Sequence, residues 1–483
     1  MLDRDPHGNV QVARIDTERL LILLLETELA NRNYPFKFLP ESHYFGYEGR
    51  SCLPSNFDAT YCYGLGQVAG VLVRNKMTGC MATLADLTKP FSEWRPAGVP
   101  LVSMMDIERR HGANVPVITK ALTELDSPCF LAYEKVRDHW AVNDCFRSPG
   151  SIQFAGVGEA RTTYLVSPPT AEDLASPADD ACLKGTYANK HEHHLSELQK
   201  SRTEAEVAIP AIFSNGLSGV NVEFGDRIEP ASAEAREKTK NRLPTTWNSK
   251  SATKFVEIVQ GNSSATALNI GVLFLGRQAP GGHNVIDGLL TAVASLEGSK
   301  IIGFKDGSAG LIKNDFLEIT PEVFKYFRNQ GGFDLLGRSI DSVRTAEELE
   351  ATKSACATHN LHGLVLIGAT HTLTDAAYLT EYFLANEVKT CVVGIPASID
   401  GNIAHPMFET CVGFDTASRL YAQMIGNIMT DAASSTKYWY FIRLMGRDPS
   451  HLVLEAGLQT HPNILLIGEE NKAAGESMQD IVR

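Results

Sequence analysis

The chain has 483 residues, enough for about three average domains or two large ones, and its make-up of 43% hydrophobic and 21% charged residues is that of an ordinary soluble globular protein. Its net charge of −13 excludes a general nucleic-acid binder, which needs a basic face to release counterions. It does not exclude a small anionic ligand, because a few placed arginines override the overall field locally.

The opening "MLDRDPHGNVQ" has neither the basic flank nor the apolar core of a secretory signal. Asp16 and Thr17 are good cap residues for a helix over 16–32, and its apolar run, Leu20 to Leu25, is too short to span a bilayer. No membrane partner is expected. The loop "YFGYEGRSCLPSNFD" (44–58) follows, with Tyr47 and Arg50 three residues apart. Next comes "TYCYGLGQVAGVLVRN", where Gly64, Gly66 and Gly70 suggest close helix packing. Residues 1–166 read as one folded block. From 167 to 264 the texture is that of a connector and an extension. His191-Glu192-His193-His194 lies in it without a partner cluster at a set spacing, so a solvated polar run is preferred to a metal site. A second low-order stretch is expected over 229–251. Nine cysteines are scattered with no C-x-x-C pair, which points to reduced thiols in the cytoplasm.

From 265 to 483 short apolar strands alternate with helices: "NIGVLFLG", "KIIGFKD", "LHGLVLIG", "KTCVVGIP", "YWYFIRLMG" and "NILLIGEE" read as strands. This is the pattern of an α/β fold, a doubly wound and mostly parallel sheet with helices on both faces. Ligands of such sheets sit at the carboxyl ends of the strands. After the first strand, Gly281 and Gly282 open a helix whose amides suit an anion, or simply make a tight turn. His371 follows another strand, more in keeping with an ordinary polar residue than with a base. Asp400 precedes Gly401, a carboxylate base or plain turn chemistry. Met445-Gly446-Arg447 places an arginine beside a glycine, suited to a phosphate.

Together these segments resemble the phosphofructokinases, specifically the diphosphate-dependent type. "GRQAPGGHNVI", "GLVLIGATHTLTDAAYLTEYF", "GIPASIDGN", "GFDTASRLYAQMIGN" and "YFIRLMGRDPSHLVLEAGLQTHPNILLIGEE" fall in that family's order. The block 1–166 resembles the opposite end: "YFGYEGRSCLPSNFDATYCYGLG", "MMDIERRHG" and "SPGSIQFAG" look like the C-terminal half of such an enzyme. The order is inverted. The resemblance therefore implies a slice of a fused, two-unit chain of the kind found in apicomplexan parasites, whose units resemble the plant catalytic and regulatory subunits: 1–166 the C-terminal half of one unit, 167–264 a connector and extension, 265–483 the N-terminal half of a second, regulatory-like unit.

The resemblance implies transfer of a phosphoryl group from diphosphate to fructose 6-phosphate, a glycolytic step, in a magnesium-dependent and cytoplasmic enzyme. Tyr47, Glu48, Gly49 and Arg50 match one half of the family's sugar-phosphate site, and Met445, Gly446 and Arg447 match the other. Asp400 matches the base that deprotonates the sugar hydroxyl. Gly276, Gly281 and Gly282 match the phosphate-donor loop. The donor side departs from the family elsewhere: Arg277 stands for a glycine, Thr370 for the metal-holding aspartate, His371 for the residue that helps choose diphosphate over ATP, Ala397 for a lysine and Asn402 for a second aspartate. The second unit is therefore expected to bind a phosphosugar or an effector and do little chemistry. The alternatives are a non-catalytic regulatory or scaffold segment, and an ATP-dependent phosphofructokinase. A mixed site formed by the two blocks within one chain is the least favoured reading. A homo- or hetero-oligomer is expected, and the donor of the intact parent and any effector are left open.

Overall fold

The central strands are apolar on both faces, and that property organises the sheet. The structure, a computed structural model, describes residues 16–110, 112–152, 197–261, 266–339, 342–403, 405–435, 437–446 and 449–483. In chain order the strands among them are β1 (Pro40–Phe45), β2 (Cys80–Ala85), β3 (Arg95–Pro100), β4 (Met105–Arg110), β5 (Ala113–Ile118), β6 (Val220–Arg227), β7 (Lys254–Gln260), β8 (Asn269–Phe274), β9 (Lys300–Phe304), β10 (Phe316–Glu318), β11 (Gly363–Gly368), β12 (Cys391–Pro396) and β13 (Trp439–Leu444).

The chain divides into two compact units, neither of them continuous. The first takes residues 1–49, 122–152 and 417–483, the second 50–121 and 153–416. The sequence blocks 1–166 and 265–483 thus each contribute to both units.

In the second unit nine strands form one sheet in the order β10-β9-β8-β11-β12-β2-β3-β7-β6. Its centre, from β9 to β2, is parallel, and antiparallel strands extend it on both sides. All residues of β11 and β12 are buried, as expected of parallel strands covered on both faces. β2, from the N-terminal block, pairs directly with β12 from the C-terminal block.

The helix Asn56–Arg74 crosses the helix Gly282–Ala294 at almost backbone contact. A Cβ on Gly66 would lie 2.2 Å from the Val285 carbonyl oxygen, and one on Gly288 would lie 2.1 Å from that of Tyr63. Only glycine permits that approach. The close packing expected from Gly64, Gly66 and Gly70 is thus present.

In the first unit β1 pairs with β13 in parallel, and the helix Thr17–Asn31 packs on both strands. Phe130, Tyr133, Trp140, Leu454 and Ile467 make a buried cluster, with Trp140 stacked on His461 at 4.4 Å.

Two expectations fail. "NILLIGEE" forms no strand: residues 462–467 run without regular structure and a helix begins at Gly468. Leu465 packs its side chain against Gly457, and Ile467 enters the aromatic cluster, so the run buries itself against helices instead of joining a sheet. Residues 229–251 are not of low order either, since they hold the helices Ala233–Arg242 and Pro244–Asn248. Ser232 caps the first by accepting the Ala235 N–H, and Pro244 starts the second. Ala235, Thr239 and Leu243 are buried, and few apolar residues were needed to dock this polar segment. The stretch 167–194, with His191, Glu192, His193 and His194, lies outside the described residues. Among the described residues no helix is long and apolar enough to cross a membrane.

Candidate functional site

The register of β1 with β13 builds the first unit's candidate site. Phe45 sits opposite Leu444, and the Met445 N–H donates to the Phe45 carbonyl at 2.8 Å. Gly46 to Glu48 and Met445 to Gly446 therefore emerge side by side at the carboxyl end of one parallel strand pair, although about 400 residues of chain separate them. Parallel strands end their chains together, so both loops face the place where α/β sheets collect ligands.

The Tyr47 ring is exposed. Glu48 turns back on its own loop, its Oε2 accepting the Gly46 N–H at 2.8 Å. Gly49 is buried against Tyr421, and a Cβ there would stand 2.4 Å from the Tyr421 Cζ. The fully buried Tyr421 also donates its hydroxyl to the Gly46 carbonyl at 2.6 Å. Tyr421 is thus a positioning residue for this loop. Sequence reasoning missed it, because it reads as one more apolar position of a long helix. Arg447 lies outside the described residues.

The second unit's candidate site is the crevice where β8 and β11 end. Gly276 follows β8 with φ 74°, and its N–H donates to the Ser339 carbonyl at 2.7 Å. Gly368 closes β11, where a Cβ would come within 2.2 Å of the Thr372 Oγ1 and 2.7 Å of the Leu275 carbonyl. Thr370, His371 and Thr372 form the first turn of the helix Thr370–Ala385. Gly281 and Gly282 open their helix as expected, but close packing also requires them. A Cβ on Gly281 would meet Cys62 Sγ at 2.4 Å, and one on Gly282 would meet Phe333 at 2.3 Å.

This crevice is basic. Arg338 donates to the Gly276 carbonyl at 2.6 Å. Burial, and then the positive charges of Arg50 and Arg277, hold its guanidinium below the ordinary arginine range. Burial also lowers the His371 pKa, followed by the charges of Arg110, Arg344 and Lys120, against a weaker opposing pull from Glu108. Arg344 is anchored to Asp375 at 2.5 Å and Arg110 to Glu108 at 2.9 Å.

Asp400, half-buried, sits in a turn after β12: its N–H donates to Ser398 Oγ at 3.2 Å, and Gly401 has φ 63°. Asn402 is buried, and its carbonyl accepts the Ala121 N–H at 2.9 Å. Sequence reasoning also missed a pair of carboxylates, buried Asp58 and half-buried Asp415. Asp58 accepts the N–H and hydroxyl of Thr416 and the Gly413 N–H, while Ser55 Oγ donates to Asp415 at 2.7 Å. Burial first, and the Asp415 charge second, push Asp58 from 3.8 up to about 7.

The family model "Phosphofructokinase" matches residues 269–483. The chain is 41% identical over 295 residues to the pyrophosphate–fructose 6-phosphate 1-phosphotransferase subunit alpha of Solanum tuberosum, covering 60% of this chain and 48% of the relative. It is 40% identical to the subunit beta 2 of that enzyme in Arabidopsis thaliana, covering 57% and 48%. The corresponding enzyme of Porphyromonas gingivalis is 42% identical, with 44% of this chain and 39% of the relative covered. The chain spans about half the length of the plant relatives it matches.

Proposed function

We propose that this chain, whose residues 269–483 belong to the phosphofructokinase family, is part of a phosphotransferase that moves a phosphoryl group from diphosphate to fructose 6-phosphate. One observation carries the sugar side of this reading. The pairing of β1 with β13 brings Tyr47-Glu48-Gly49 and Met445-Gly446 to one strand end in one chain. These are the two segments that match the family's sugar-phosphate contacts. In this reading Tyr47 and Arg447 hold the phosphosugar, and Tyr421 keeps the loop in shape. The mixed site of the two blocks, the least favoured reading from sequence, becomes the preferred one.

Asp400 is assigned as the base for the sugar hydroxyl. The donor side is assigned to Gly276, Gly281 and Gly282. Magnesium does not fit the described residues of this crevice. Thr370 stands where a carboxylate is expected, and among the described residues no group of three His, Cys, Asp or Glu could hold a metal ion. A hard divalent cation wants oxygen anions, and the carboxylates described here, Asp375 and Glu108, are already paired with Arg344 and Arg110. Each lost charge stabiliser costs roughly a hundredfold or more in rate. Slow chemistry, with sugar-phosphate binding kept, is therefore the expected behaviour.

A second reading follows from the same basic crevice: a regulatory or scaffold chain that binds sugar phosphate in an assembly with catalytic subunits. The relatives are named as subunits alpha and beta. A single experiment separates the two. The purified chain is titrated with fructose 6-phosphate by calorimetry and assayed with magnesium and either diphosphate or ATP. Binding with slow, diphosphate-dependent turnover that disappears in Asp400→Ala supports the phosphotransferase. Binding with no turnover supports the regulatory chain, and no binding removes both.

A further inference from the structure

The misfit of magnesium raises the question of what the donor-side crevice is built to hold. Its two rims are both cationic. Beside Gly276 stand Arg277 and Arg338, with Arg50 close enough to act on the Arg338 charge. On the other side the charges of Arg110, Arg344 and Lys120 reach His371. Ser339 bridges to Leu275 at the end of β8, and the Val343 N–H reaches Asp375 in the second turn of the Thr370 helix. Between the rims the floor is backbone and small side chains, where Gly276, Gly368 and Thr372 approach one another.

Two facts make this more than a solvated surface. Arg338 is partly buried and points at backbone, so it is desolvated beside like charges. Among the described residues neither Arg277 nor Arg338 takes part in an ion pair, whereas Arg344 and Arg110 are held in place by carboxylates. Like charges held together at this depth cost free energy unless an anion sits between them. Guanidinium groups match phosphate oxygens in pairs and need no metal to do so.

We infer that the crevice between β8 and β11 is a metal-independent site for a phosphate oxyanion, and that its two cationic rims fit the two phosphoryl groups of free diphosphate. The arginines take the place that magnesium holds in a site with carboxylates. With Thr370 where a carboxylate is expected, these residues bind the ligand better than they activate it, in line with the slow chemistry expected above. This deepens the reading of the donor side given above and rests on it.

Magnesium gives the distinguishing signature. In a metal-using site it strengthens diphosphate binding. Here it competes, because it captures the free anion in solution. The test is calorimetric titration of the whole chain with sodium diphosphate, in EDTA and again with excess magnesium. Orthophosphate and ATP serve as separate arms, and fructose 6-phosphate as an independent reference. Saturable diphosphate binding in EDTA is expected, weakened at least tenfold by magnesium and at least tenfold in Arg277→Ala. Binding of orthophosphate or ATP as tight as that of diphosphate would overturn the two-rim assignment. Because Arg338 supports the Gly276 loop, it is tested by both Arg338→Ala and Arg338→Lys. Lysine is expected to restore part of the affinity, and a lysine variant as weak as alanine with an unchanged melting temperature counts against the charge argument. Diphosphate binding that requires magnesium, or that survives Arg277→Ala unchanged, overturns the inference. Fructose 6-phosphate binding that persists while diphosphate fails to bind overturns this inference alone, and loss of both overturns the functional reading as well.

Discussion

The strand-end loops of the first unit and the crevice of the second follow the same design rule and have diverged in chemistry. Both lie where parallel strands end, and both use glycines that admit a close neighbour, Gly49 against Tyr421 and Gly368 against Thr372. The first, on the reading proposed above, keeps the residue types of a sugar-phosphate grip. The second, on the reading proposed above, has Thr370 for a carboxylate and Arg277 for a glycine. The scaffold of a ligand site can therefore be retained while its charge is reversed, because strand ends and helix starts are set by burial of the sheet and not by the side chains that face the ligand.

Four changes break or sharpen this contrast. The largest effect is expected from Gly49→Val. A side chain there overlaps the buried Tyr421 ring, so the loop must move, and affinity for fructose 6-phosphate should fall at least a hundredfold while diphosphate binding persists. Titration with the two ligands in turn checks this.

Next is restoration on the other side. Arg277→Gly with Thr370→Asp and Ala397→Lys returns the family's residue types, and magnesium should then strengthen diphosphate binding instead of weakening it. The sign of the magnesium effect in calorimetry is the readout.

Third is a pH effect on stability of the second unit. Asp58 has a folded pKa of about 7 against an ordinary 3.8, so folding favours its protonated form. The stabilisation is full below about pH 4 and is lost as pH rises through 7, at roughly 1.4 kcal/mol for each pH unit crossed. Urea unfolding should show a decline between about pH 4 and pH 7, levelling off above, that is flatter in Asp58→Asn.

The smallest is Tyr421→Phe, which removes one buried hydrogen bond to Gly46 but keeps the ring. A loss of about 1 kcal/mol, roughly fivefold in fructose 6-phosphate affinity, is expected in the same titration.

The sequence made the central sheet legible because β8, β11 and β12 are unbroken apolar runs closed by glycine or proline, with helices of clear period between them. It was misleading where composition and context disagree. Residues 229–251 look unstructured by polarity, yet Ala235, Thr239 and Leu243 suffice to dock two capped helices. Ile464 to Ile467 have strand composition, yet Leu465 packs on Gly457 and Ile467 enters the aromatic cluster.

The pairing of β1 with β13 and of β2 with β12 was legible only as one weak alternative. Pairing across hundreds of residues leaves no local periodicity, and either strand suits any partner with an apolar face. The basic character of the crevice was hidden for the same reason: Arg110 and Lys120 come from the N-terminal block, Arg338 and Arg344 from the C-terminal one. Arg277, read as an eroded glycine, showed half of the exchange.

That two distant segments form one sugar-phosphate site is tested most directly by a double-mutant cycle on fructose 6-phosphate affinity, with Tyr47→Phe and Arg447→Lys made singly and together. Strong non-additivity, with a coupling of about 1 kcal/mol or more, is predicted because both groups grip one ligand. Effects that simply add, or an Arg447→Lys change that leaves the affinity untouched, would contradict it.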